Sequence, residues 1–141
     1  MEILANGKLQ DDKIEKILTW LQRVYLVLII LNGASLLFQL VDFEQSKLRE
    51  IDETAIGLAM YWGVYVGLRS RRSWAITLVL ITSAFGFFSS FCKIIDPAGD
   101  ILALIGKVFS CLFLFFFGYQ IIFFRKREVR LFFGTKGQVL F

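Results

Sequence analysis

Four apolar stretches, at about 20–41, 52–69, 74–95 and 101–124, follow one another with only short polar segments between them. At 1.5 Å per residue the first, third and fourth each measure roughly 30 Å or more, the thickness of a bilayer's hydrocarbon core. Backbone amides in lipid must be satisfied within the protein, so stretches of this kind fold as helices. The expected fold is all-α: a polytopic membrane protein whose four-transmembrane-helix bundle occupies residues 18–124. A polar segment, 1–17, precedes it and a basic-aromatic tail, 125–141, follows it. The second stretch has its apolar part at Thr54 to Leu68 and is the shortest. It needs the Ile51 turn, a snorkelling Arg69 or local bilayer thinning to cross.

Hydrophobic residues make up 57% of the 141, more than the surface of a soluble domain of this size would accommodate. The net charge of +4 is not scattered. Lys8, Lys13, Lys16 and Arg23 precede or enter the first span, Arg69, Arg71 and Arg72 form the turn between spans two and three, and Arg125, Lys126, Arg127 and Arg130 open the tail. The loop from Asp42 to Glu53 and the segment around Pro97 carry only Lys47, Arg49 and Lys93. Because lysine and arginine concentrate on the cytoplasmic side, both termini are expected to be cytoplasmic. The same clusters fit the anionic inner leaflet of a lipid bilayer, and no nucleic-acid-binding pattern competes with that. The first apolar run is too long for a signal-peptide core and is expected to remain as a span. Val139-Leu140-Phe141 matches no lipidation signal.

Asp12 followed by Glu15 reads as a helix start, with Ile14, Ile17, Leu18 and Leu21 on one face. That helix either lies on the membrane surface or leads into the first span. Trp20 and Tyr25 are expected as interfacial belt residues, and Asn32, near mid-membrane, is expected to pair its amide with another helix. In the second span Ala55, Ala59, Gly63 and Gly67 recur every fourth residue and form a ridge almost without side chains, ending in a GxxxG. Thr82, Gly86 and Ser90 repeat the spacing in the third, a stripe suited to packing on the first ridge. The phenylalanines of the fourth span, dense from Phe109 to Phe117, read as lipid-facing.

Two stretches, Gly67-Leu68-Arg69-Ser70-Arg71-Arg72-Ser73-Trp74-Ala75 and Glu128-Val129-Arg130-Leu131-Phe132-Phe133-Gly134, resemble small uncharacterised four-span bacterial inner-membrane proteins. The resemblance implies that architecture and a bacterial inner membrane, and it brings no activity with it.

There is no histidine, and Cys92 and Cys111 are not in a CxxC arrangement. That pattern removes the usual general base, metal ligand and haem ligand, and the cysteines read as small buried hydrophobes. No cofactor or metal site and no enzyme are expected, since no carboxylate lies within a span core. The sharpest anomaly is Lys107, about two turns inside the fourth span. It either snorkels toward Asp100 or Asp96 or belongs to a polar path with Asn32 and Ser110. Two functions remain open: a non-catalytic structural or interaction component, homo-oligomeric or attached to a larger membrane-protein partner, and a homo-oligomeric pore or small transporter lined by Lys107 and a hydroxyl strip.

Overall fold

The computed structural model describes residues 2–42, 48–97 and 99–138, with side chains described from residue 5 to residue 134 of these. Glu44 and Lys47 of the first loop and the terminal Val139-Leu140-Phe141 lie outside the described residues. Among the described residues the structure is five helices and no strand: α1 Glu2–Val41, α2 Leu48–Arg69, α3 Trp74–Ile95, α4 Ile101–Arg125 and α5 Arg127–Gln138. Three of them, over Ala5–Val41, Trp74–Ile95 and Ile101–Arg125, are long and apolar enough to cross a membrane. Among the described residues the protein is therefore all-helical, with three helices of membrane-spanning length and apolarity. α2 is not among the three, because Arg49, Glu50, Asp52 and Glu53 occupy its first turns and Arg69 its last.

α1 is one unbroken helix of 40 residues, about 60 Å long at 1.5 Å per residue. The polar amino-terminal segment thus leads into the first apolar stretch without a break. α2 starts at Leu48, so the second half of the expected 42–53 loop is helical. Glu50 sits in the positive first turn and Arg49 pairs with Glu53 one turn on, at 3.2 Å. α4 stops at Lys126, whose extended backbone (ψ 133°) breaks the ladder before α5 begins at Arg127.

The chain forms two compact units: Met1–Ala75 with Phe132–Phe141, and Ile76–Leu131. In the first, α1 buries Ile14, Leu18, Leu21, Tyr25 and Leu28, spaced alternately by four and three residues, and α2 buries Val64, Gly67 and Leu68. This seam is confined to one half of the hairpin. Beyond Leu28 on α1 and before Val64 on α2 every described position is exposed or half-buried. In the second unit α3 buries Val79, Thr82, Ser83 and Ser90, and α4 buries Ser110, Phe117, Gln120, Phe123 and Phe124.

Candidate functional site

The small-residue ridge of α2 is divided in its surroundings. At its carboxyl end Gly67 is buried, and a Cβ built there would lie 2.7 Å from the Ala75 Cβ and 3.0 Å from two ring atoms of Trp74. Gly67 is the contact point of the α2–α3 hairpin. Gly63 is half-buried, and Ala55 and Ala59 are exposed. Gly57, about 200° around the helix from this ridge, has nothing within 4 Å of where a Cβ would stand.

The tight hairpin follows from a specific helix end. The Arg72 amide donates to the Gly67 carbonyl and the Arg71 amide to the Leu68 carbonyl, both at 3.3 Å, which is the Schellman pattern. That pattern needs a left-handed residue at the position after the cap, normally glycine, and here it is Arg71 with φ 52°. The Arg71 side chain is 13% exposed; its guanidinium donates to the Leu68 carbonyl and, at 2.7 Å, to Glu15 Oε1 on α1. The turn is thereby tied to α1 at the end opposite the 42–47 connection. The other bases, Arg69, Arg72, Arg125, Lys126, Arg127 and Arg130, are exposed, whereas Val129, Phe132 and Phe133 of the tail are buried on one face of α5.

The stripe on α3 meets α4. A Cβ on Gly86 would stand 2.4 Å from the Phe117 ring, so only glycine lets that ring lie on the helix backbone. One turn earlier, at a fully buried level, Ser83 Oγ donates to Gln120 Oε1 at 3.0 Å. Beside it Thr82 Oγ1 is buried and makes no hydrogen bond among the described residues. Nothing in the sequence singled out Gln120 or Phe117. Phe117, within the Phe109–Phe117 run expected to face lipid, is instead core, as are Phe123 and Phe124. The available signal was Gly86 itself, since a bare backbone facing a helix rich in phenylalanine invites a ring.

Three other expectations change. Tyr25 is fully buried, with its ring 5.9 Å from that of Tyr61, so it is not a belt residue; Trp20 is exposed. Asn32 donates to the Leu28 carbonyl of its own helix at 2.8 Å, because the α1–α2 seam ends at that level. Cys92 and Cys111 are exposed. On helices, Cys92 lies about 200° around from Ser90 and Cys111 about 100° from Ser110, the buried positions of α3 and α4.

At the loop end of α3 and α4 lies an open groove of about 360 Å³, lined in part by Ser90, Lys93, Asp96, Lys107, Ser110 and Phe113. Lys107 and Ser110 thus share one surface, while Asn32 belongs to the other unit. Lys107 is half-buried and, among the described residues, forms no ion pair with Asp96 or Asp100. No group of three metal-ligating side chains converges among the described residues. No protein-family model, curated protein or solved structure matches this chain.

Proposed function

We propose that the protein is a four-span component of a bacterial inner membrane, with both termini cytoplasmic, acting non-catalytically by associating with a second copy of itself through α2. The observation that carries the association is the divided ridge. Gly67 is filled by the chain's own α3, while Ala55 and Ala59 are exposed. Where lipid is the only competitor, a bare helix face gains by packing against another backbone at close range.

The four-span reading is supported by the register of α1 against α2. Glu15 of α1 pairs with Arg71, in the turn just beyond α2, and Tyr25 with Tyr61, and the same sequence offset separates Glu15 from Tyr25 and Tyr61 from Arg71. An antiparallel pair in that register lays the apolar part of α2, Thr54 to Leu68, alongside residues 18–32 of α1. The charges from Arg49 to Glu53 stand level with residues 33–37, so that the crossing needs the local bilayer thinning of a short span. The Glu15–Arg71 pair also puts the amino-terminal bases and the arginine turn at one end of the hairpin, the arrangement expected of a cytoplasmic end. About half of α1's 60 Å exceeds the hydrocarbon thickness and would extend from that end.

The experiment is the protein's mass in mild detergent or nanodiscs, for the wild type and for Ala55→Leu with Ala59→Leu. The expected outcome is a wild-type dimer that becomes a folded monomer on substitution. A wild type that is monomeric, or an oligomer indifferent to the substitutions, refutes association through α2.

A further inference from the structure

We infer that the groove between the loop ends of α3 and α4 is a binding site for the monoanionic phosphate diester of an anionic phospholipid. Two lysines line it, Lys93 in the last turn of α3 and Lys107 in the second turn of α4. Neither forms an ion pair among the described residues. Lys107 lies about 9 Å along the helix from Ile101, deeper than a purely solvated lysine would be placed. A half-buried cation at that depth is stabilised by an anion brought to it.

The second observation is Ser90. It is 7% exposed, lines the groove, and its hydroxyl has no hydrogen-bond partner among the described residues. Ser110, equally buried, is already satisfied by the Gly106 carbonyl at 2.9 Å. The groove therefore offers one free hydroxyl and two unpaired ammonium groups, a donor set that matches phosphate oxygens.

Charge and shape select the kind of phosphate. Asp96 on the rim reduces the lining to one net positive charge, which balances a diester and not a dianion. Phe109 and Phe113 form an apolar flank on the same groove, where the glycerol and first acyl carbons of a lipid find a surface and a free phosphate finds none. The site is built from residues of α3 and α4 alone and uses none of the α2 ridge.

The test uses the full chain, delipidated in mild detergent, titrated with phosphatidylglycerol, phosphatidylcholine or inorganic phosphate and followed by native mass spectrometry. Phosphatidylglycerol is expected to bind at least about tenfold more tightly than phosphatidylcholine, and Lys93→Gln and Lys107→Gln to weaken it about tenfold each. Lys107→Arg should retain binding. Gly106→Leu leaves the charge untouched and meets no atom within 4 Å of its Cβ; it should block the lipid by filling the groove even if a lysine variant fails to fold. Equal affinity for the two lipids overturns the inference, as does unchanged binding in folded Lys93→Gln/Lys107→Gln or in Gly106→Leu. Lysine-dependent binding of inorganic phosphate, with phosphatidylglycerol indifferent to the substitutions, overturns the lipid and reassigns the site to free phosphate.

Discussion

Gly67→Ala and Gly57→Ala are the same chemical change on the same helix, and the structure requires them to have opposite signs. Alanine is favoured over glycine in a helix by up to about 1 kcal/mol. At Gly57 the new methyl meets nothing within 4 Å, so most of that gain is realised, roughly 0.5–1 kcal/mol. At Gly67 it would arrive 2.7 Å from the Ala75 Cβ, where carbon atoms prefer about 3.5–4.0 Å. The obstacle is a Cβ fixed to the α3 backbone, so no rotamer change relieves it, and the hairpin must open by about 1 Å. Overpacking of this kind costs about 1–3 kcal/mol. It outweighs the propensity gain, which is small in a final turn, and leaves a net loss of about 1–2 kcal/mol. Equilibrium unfolding by SDS in mixed micelles reads both changes, and with Trp20 and Trp62 replaced by Phe the remaining fluorescence of Trp74 reports on the contact itself. A Gly67→Ala protein as stable as the wild type, alongside a stabilised Gly57→Ala, would refute the close α2–α3 contact.

Gly86→Ala should cost about 1–3 kcal/mol through the Phe117 ring, and Phe117→Leu should relieve part of it; strictly additive effects in the double-mutant cycle would contradict the contact. Glu15→Gln should cost about 1 kcal/mol, since it leaves the guanidinium of a side chain only 13% exposed without its counter-charge. Adding Arg71→Gly should recover stability, as glycine removes the left-handed penalty of about 1 kcal/mol; a further loss measured in the same unfolding assay would argue against the Schellman turn. In a background lacking Cys92 and Cys111, Gly99→Cys should react with an impermeant maleimide on intact cells and Ser73→Cys only after permeabilisation. Labelling of both from one side would refute the proposed topology.

The helices were legible because their cause is local. Lipid-length apolar runs, each bounded by charge or proline, lead to α3 over Trp74–Ile95 as expected and to α4 within one residue of its expected end. The α2 boundary was less so, since Leu48-Arg49-Glu50 reads as loop until Arg49 is seen to pair with Glu53. Of the candidate site residues, the ridge and the stripe were recognisable by their four-residue spacing, and Lys107 by being charged in an apolar run.

Spacing identifies a face and not its neighbour. Which half of the α2 ridge is filled depends on the Arg71 turn, which folds Trp74 and Ala75 back onto Gly67 and leaves Ala55 and Ala59 open. Likewise the phenylalanines of α4 are alike in sequence, and only their angular positions around the helix separate buried Phe117 from exposed Phe115. Lys107 stands out in the sequence as a charge, but its grouping with Ser90 and Lys93 depends on the α3–α4 hairpin. The sequence by itself determined that this chain forms long apolar helices and where its charges concentrate, because both follow from the cost of polar groups in lipid. Only the tertiary structure decided which small residues are occupied and which polar groups share a surface, because those depend on the distance between helices.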